Sequence, residues 1–411
     1  MALLNFDVQH KPRQAYASMA VVLIGLLIFP FVAAQYGNSW VRIIDMALLY
    51  IMLALGLNIV VGFAGLLDLG YVAFYAVGAY TTAKLTTAAG WGAWESLPVA
   101  IAVACVAGVI LGAPTLRLRG DYLAIVTLGF GEIFRITANN WDGLTRGPNG
   151  ISGIPDLAAG GFDFGESHEV FGINLPGFAN YYFVELLLIA GAILVFTRLN
   201  DSRIGRAWVA IREDELAAAA SGIDTIRLKL LAFAIGAFLA GAAGTVNAHV
   251  TTQVSPDSYT FLESILLVAA VVLGGMGTVP GALLGSTALF VIPEKLRSFQ
   301  DKRLLLFGAA LILVMRFRPE GLVPSRRRRR ELHEEAPEGV PGLAKTLLVS
   351  KLAETMSLKF TLNRATATTG PTLRSYQVKA LPAPKRSRIY RLPVNVYDVE
   401  KFYTGANYGC R

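Results

Sequence analysis

Ten stretches of this chain are apolar enough, and long or nearly long enough, to cross a bilayer. No other feature restricts its fold so tightly. They fall at about 16–35, 43–62, 66–88, 97–114, 121–138, 181–198, 228–248, 261–276, 280–294 and 303–317, where a helix needs about 20 residues to span the hydrocarbon. In that medium each backbone N–H and C=O must be paired inside its own segment, which leaves helices as the spanning form here. Only 16% of the 411 residues are charged and 54% are hydrophobic, against roughly 25% charged in soluble proteins. The expected fold class is therefore an all-α polytopic membrane protein with about 8–10 transmembrane helices, some of them broken, occupying 1–325.

Charge placement orients the chain. The net charge is +8, but from Arg326 onward there are 17 Lys/Arg and 7 Asp/Glu, which leaves 20 and 22 for the first 325 residues. The basicity is thus a tail, 326–411, expected to be cytoplasmic and largely disordered. Its block Arg326 to Arg330 reads as an anchor to anionic lipid headgroups, and no nucleic-acid partner is expected. By the preference of cytoplasmic loops for Lys and Arg, Lys11 and Arg13 place the N-terminus inside. Arg117 and Arg119, the segment 199–226 and the region 316–330 return to the same side. The connection 139–180, with one Arg and five acidic residues, falls outside. The turn carrying Lys295, Arg297, Lys302 and Arg303 is the exception, since this count places it outside too. The first span is expected to be an uncleaved anchor, being longer than a signal-peptide core.

Much chemistry is missing. No G-x-x-x-x-G-K-[ST], H-E-x-x-H, G-x-S-x-G or C-x-x-C occurs, so neither phosphate-loop ATP binding nor the common hydrolytic and metal sites are expected. Cys105 and Cys410 give no disulfide framework, and His10, His168, His249 and His333 have no ligand spacing. Ionisable residues inside spans include Asp45, Asp68, Lys84, Glu132, Arg135, Glu185 and Glu263; several lie near predicted ends, within reach of headgroups. Glu132 and Arg135, at i and i+3, share a helix face and read as an intramembrane ion pair.

Two local patterns stand out. In the cytoplasmic segment, Asp201 or Ser202 can cap a helix in which Trp208, Ile211 and Leu216 recur at roughly helical spacing. Glu215 to Ala220 favours helix and Gly222 is placed to end it. The expectation is a short small-residue helix over Gly205–Gly222, suited to close approach by another protein. Elsewhere, Gly62-Phe63-Ala64-Gly65 and Gly274-Gly275-Met276-Gly277 each interrupt apolar runs. Paired interruptions of this kind mark broken helices beside a translocation path, so Gly62, Gly65, Gly274, Gly275, Gly277 and the nearby Asn58 are candidate path residues.

Glu215-Leu216-Ala217-Ala218-Ala219-Ala220-Ser221-Gly222 resembles the coupling loop of ABC importer permeases. The longer string with Gly205, Arg206, Ala207, Ala210, Arg212, Glu213, Asp214 and Glu215 resembles the branched-chain amino acid permease family of the LivM type. So do Leu116 to Ile133, Gly147 to Gly150, Gly274 to Gly281 and Arg318 to Leu322. The resemblance implies an ABC importer permease fold and a bacterial inner-membrane subunit with both termini cytoplasmic. It implies a LivH-like second permease, two ATPase subunits of the LivG and LivF type and a periplasmic substrate-binding protein. ATP and Mg would sit on the ATPases, with no cofactor on this chain. Gly205, Arg206, Ala207, Ala210, Arg212, Glu213, Asp214, Glu215, Ala218 and Gly222 would form the ATPase-coupling surface. The implied cargo is leucine, isoleucine and valine; the alternatives are urea or short amides in the same family, or an ion-coupled carrier in which Glu132 matters more.

Overall fold

The computed structural model describes residues 25–27, 29–31, 33, 38–115, 121–170, 173–295, 308, 312, 316 and 321–323, all within one compact unit, Met1–His333. The tail 326–411, Arg117, Arg119, Arg297, Lys302, Arg303 and most of the first and tenth candidate spans lie outside the described residues.

The chain is a bundle of helices: α1 (Asn38–Asn58), α2 (Val72–Ala88), α3 (Ala93–Thr115), α4 (Asp121–Asn140), α5 (Gly177–Asp201), α6 (Arg203–Glu213), α7 (Glu215–Ala220), α8 (Thr225–Thr251), α9 (Phe261–Gly274) and α10 (Val279–Lys295). Five helical stretches are long and apolar enough to cross a membrane: Ser39–Phe63, Ala93–Thr115, Gly177–Asp201, Thr225–Thr251 and Pro256–Gly274. The chain is thus a polytopic helical membrane protein. α1 is its centre, with 89% of its most apolar window buried, whereas α3 and α5 bury 33% and present Val106, Ile110, Leu187 and Leu194 outward. A helix apolar all round belongs in the middle of the bundle or against lipid, and both cases occur.

Close packing of α8 on its neighbours depends on small residues. A Cβ on Gly241 would fall 2.6 Å from the Ala104 Cβ on α3, and one on Gly244 would fall 2.2 Å from the Tyr75 carbonyl on α2. Without a hydrophobic drive between helices in lipid, such close approach supplies the attraction. Asp45, Asp68 and Glu185 are 1%, 0% and 1% exposed, so these three are buried inside the bundle. Asp68 serves the backbone: its Oδ1 accepts from Gly70 N at 2.9 Å, while Thr127 Oγ1 accepts from Leu69 N at 3.0 Å. These bonds satisfy part of the irregular stretch that precedes α2.

The span expected at 66–88 is helical only from Val72, because α1 continues into a π-helical turn, Ile59–Phe63, and then breaks. Gly65 has φ +69° there. The second break follows α9, with Gly275 at φ 122° and Gly277 at φ 77°. Leu322 N and Val323 N donate to Leu273 O and Gly274 O at 2.8 and 2.9 Å, pairing carbonyls that a helix end leaves open.

The connection 139–180 is not loop alone. β1 (Ile151–Ser152) pairs antiparallel with β6 (Gln253–Val254), just past α8, and β2 (Ala158–Ala159) with β3 (Phe162–Asp163), and β4 (His168–Val170) with β5 (Ile173–Leu175). At 27 residues, α8 is about 40 Å long at 1.5 Å per residue. It holds this cap at its C-terminal end and α6–α7 at its N-terminal end. The two connections therefore lie at opposite ends of the bundle.

Candidate functional site

α6 and α7 form the structured turn between α5 and α8. Ser202 Oγ accepts from Gly205 N at 3.1 Å, capping α6. Trp208 is 0% exposed; its Nε1 donates to Leu228 O at 2.7 Å and its ring stacks on Phe63, 6.4 Å between centres. Gly205 has no room for a side chain, since a Cβ would sit 2.1 Å from Leu199 O. The segment is held rigidly against the bundle.

The single helix expected over Gly205–Gly222 is two. Asp214 takes φ −153°, ψ 108°, ends α6 and caps α7, its Oδ1 accepting from Leu216 N and Ala217 N at 2.8 and 3.0 Å. An Asp carboxylate satisfies open N–H groups at a helix start better than it serves a helix interior. The break rotates Leu216 off the Trp208–Ile211 face, leaving it 65% exposed. Gly222, at φ +83°, follows the end of α7.

The ten coupling candidates divide by position. Gly205 and Ala218 are buried; Ala207, Ala210, Arg212 and Glu215 are half-buried; Arg206, Glu213, Asp214 and Gly222 are exposed. Arg212 turns inward, its Nη1 donating to Gly62 O at 2.7 Å. A Cβ on Gly65 would fall 2.5 Å from Arg212 Cγ. Glu215 Oε1 accepts from Lys229 Nζ, at the base of α8, at 2.6 Å. Arg206 Nη1 donates to Asp201 O at 2.9 Å. The free surface is thus Arg206, Glu213, Leu216 and the exposed alanines Ala217, Ala219 and Ala220 of α7.

The two glycine breaks meet. Asn58, 0% exposed, donates from Nδ2 to Thr278 O at 3.0 Å and accepts on Oδ1 from Gly277 N at 2.8 Å. A Cβ on Gly62 would reach 2.6 Å from Gly277 N. Gly274 packs against Gly281 and Gly285 of α10, and Gly275 against Gly321. Asn58, Gly62, Gly65 and Gly277 therefore come together with Arg212, while Gly274 and Gly275 lie behind them. Both polar atoms of Asn58 are engaged between the breaks. The contacts to Gly62, Lys229 and Leu228 escaped sequence reasoning, because they join residues distant in the chain.

Glu132 and Arg135 pair on α4, with Arg135 Nε donating to Glu132 Oε1 at 3.0 Å. Glu132 borders a small recess with Leu69, Val72, Tyr259 and Ser264. It is not in contact with α6–α7. Among the described residues no group of three His, Cys, Asp or Glu is placed to hold a metal ion.

A polytopic helical bundle with interlocked broken helices, tied to a rigid turn at one end, has the architecture of a transporter's membrane component. Sequence comparison gives the family. The profile of the branched-chain amino acid transport system / permease component family matches residues 39–315, and the chain belongs to that family. It is 44% identical over 341 residues to the high-affinity branched-chain amino acid transport system permease protein LivM of Salmonella typhimurium, covering 80% of this chain and 79% of that one. It is 43% identical over 335 residues to LivM of Escherichia coli, covering 78% of each. To the permease protein BraD of Pseudomonas aeruginosa it is 29% identical over 288 residues, 67% of this chain and 91% of that one. No solved structure matches.

Proposed function

We propose that this chain is a membrane-spanning subunit of an ATP-driven importer of branched-chain amino acids in the bacterial inner membrane. Both termini and α6–α7 face the cytoplasm, and the 139–180 cap faces the periplasm and its substrate-binding protein. Separate ATPase subunits, which carry ATP and Mg, dock on the exposed face of α6–α7. A LivH-like permease completes the membrane part. The observation that carries the reading is the direct bond from α6 to the first helix break, Arg212 to Gly62 O. Displacement of α6 by a closing ATPase pair would pull on the break and, through Asn58, on the second one. That is a rigid-body route to alternating access. The names of the relatives at 43–44% identity support the cargo.

The test uses the exposed face, because a change at buried Gly205 or at half-buried, paired Glu215 would disturb α6–α7 itself. The tagged chain is expressed with its native neighbours, solubilised gently and purified beside a Leu216→Asp/Ala219→Glu variant. An ATPase should come down with the unmodified chain and be lost from the variant, and reconstituted vesicles should take up leucine only with ATP. Urea uptake without leucine uptake would move the cargo. No ATPase with either form, together with ion-gradient transport by the chain alone, would sink the importer reading.

A further inference from the structure

Two carboxyl side chains meet in the interior, away from α6–α7. Asp45 on α1 and Glu185 on α5 are each 1% exposed. α1 and α5 run side by side in the same direction. Near their starts the Arg42 guanidinium lies 5.8 Å from the Phe178 ring centre, and towards their ends the Phe63 and Phe196 rings lie 4.5 Å apart. Asp45 follows Arg42 by one turn and Glu185 follows Phe178 by two. Each carboxyl lies beside the other, and among the described residues none of their four oxygens meets a donor.

Among the described residues the surroundings supply no counter-charge. Arg42 is exposed and sits over Phe178. Tyr182 donates its hydroxyl to Leu26 O at 2.8 Å. Glu263 of α9 accepts from Tyr50 at 3.0 Å, and His249 Nδ1 of α8 lies 2.7 Å from Pro155 O. From α2, Tyr75 is the nearby titratable group. No salt bridge to either carboxyl occurs among the described residues. Ionised carboxylates only accept hydrogen bonds. Two of them in contact, dehydrated and unpaired, would repel with nothing to offset the loss of water. One proton removes the conflict by turning two acceptors into a donor and an acceptor.

We propose that Asp45 and Glu185 form a proton-binding site, with a proton held between them as an O–H···O hydrogen bond that joins α1 to α5. The joint is mechanically placed. α1 leads into the break at Gly62, and α5 leads straight into α6. The bound proton ties the central helix to the helix carrying α6–α7. Its release leaves two like charges facing each other and loosens that joint. The stability it confers is present while the proton is bound and is lost as pH rises through the pair's own titration.

The full chain, purified with its partners, is compared by infrared difference spectroscopy with Asp45→Asn, Glu185→Gln and the double variant. The unmodified protein should show at neutral pH a protonated-carboxyl C=O band that shifts in heavy water, changes frequency in each single variant and is absent from the double variant. In each single variant the remaining carboxyl, dehydrated and without a counter-charge, keeps its own proton and pairs with the new amide, so both should fold. The folded-to-unfolded ratio of the unmodified chain should fall about tenfold per pH unit between the titration of the unfolded carboxyls and that of the folded pair, then level off, and that of the double variant should show no such fall. Absence of the band, its persistence in the double variant, or the same pH slope in the double variant would overturn the proposal. So would a melting temperature that follows sodium or potassium at fixed pH, which would put a metal cation between the carboxylates.

Discussion

Arg212 of α6 donates from Nη1 to the carbonyl of Gly62 at 2.7 Å, across 150 positions of chain. The Gly62 carbonyl belongs to the π-helical turn that ends the first long helix, where the ordinary helical ladder is disrupted and a carbonyl can turn to a foreign donor. The arginine stem lies over Gly65, where a Cβ would meet Cγ at 2.5 Å. One side chain thus reads the position of a broken helix from a turn outside the bundle.

Arg212→Ala should uncouple rather than disassemble. The half-buried guanidinium hydrogen bond contributes on the order of 1–3 kcal/mol, too little to unfold a bundle of this size. The ATPase should still co-purify, while ATP-dependent uptake falls by at least tenfold. Arg212→Lys should recover little, since an ammonium cannot reproduce the planar fork of guanidinium. Uptake unchanged in Arg212→Ala would show that the bond transmits nothing.

What could be read before folding follows the range of the interactions. Ser202 as a cap and Gly222 as a terminator depend on neighbours within four residues, and both were legible. Asp214 carried the same local signal, ahead of Glu215-Leu216-Ala217, but the continuous apolar spacing through Leu216 masked it. The two glycine breaks were legible as breaks, whereas their interlock through Asn58 joins positions 219 and 220 apart and leaves no local trace. Nothing in the local sequence marks Asp45 and Glu185 as buried. Their burial is decided by how α1 and α5 face each other, a property of packing. The β1–β6 pairing, from Ile151 to Val254, is equally long-range.

Asn58→Leu should destabilise the chain by about 1–3 kcal/mol for each group left unpaired, here Gly277 N–H and Thr278 C=O. Asn58→Asp keeps the acceptor for Gly277 N and loses the donor to Thr278 O, so it repairs at most half. Unfolding in detergent, followed by tryptophan fluorescence, should rank the unmodified chain first and place both variants below it. Equal midpoints for all three would remove Asn58 as the link between the breaks.

Glycine replacements should separate close contact from mere location. Gly62→Ala puts a Cβ 2.6 Å from Gly277 N, and overpacking of that kind costs about 1–3 kcal/mol. Gly65→Ala meets both Arg212 and a φ of +69°, adding about 1 kcal/mol of backbone strain. Gly129 on α4 has a helical backbone and nothing within 4 Å of where a Cβ would sit, so Gly129→Ala should be neutral or slightly stabilising. Melting of the three purified variants tests the order, and a Gly129→Ala loss as large as that of Gly62→Ala would contradict it.

The Lys229–Glu215 pair ties α7 to the base of α8. Lys229 has a side chain 5% exposed and Glu215 one 28% exposed, 2.6 Å apart. Breaking such a pair from one side leaves a buried charge alone, at about 3–5 kcal/mol, whereas removing both ends costs far less. Glu215→Gln should therefore destabilise more than Glu215→Gln/Lys229→Met, and a double-mutant cycle should give a coupling above about 1 kcal/mol. If the two effects simply add, the pair is not what holds α7 in place, and the anchor is Trp208 alone.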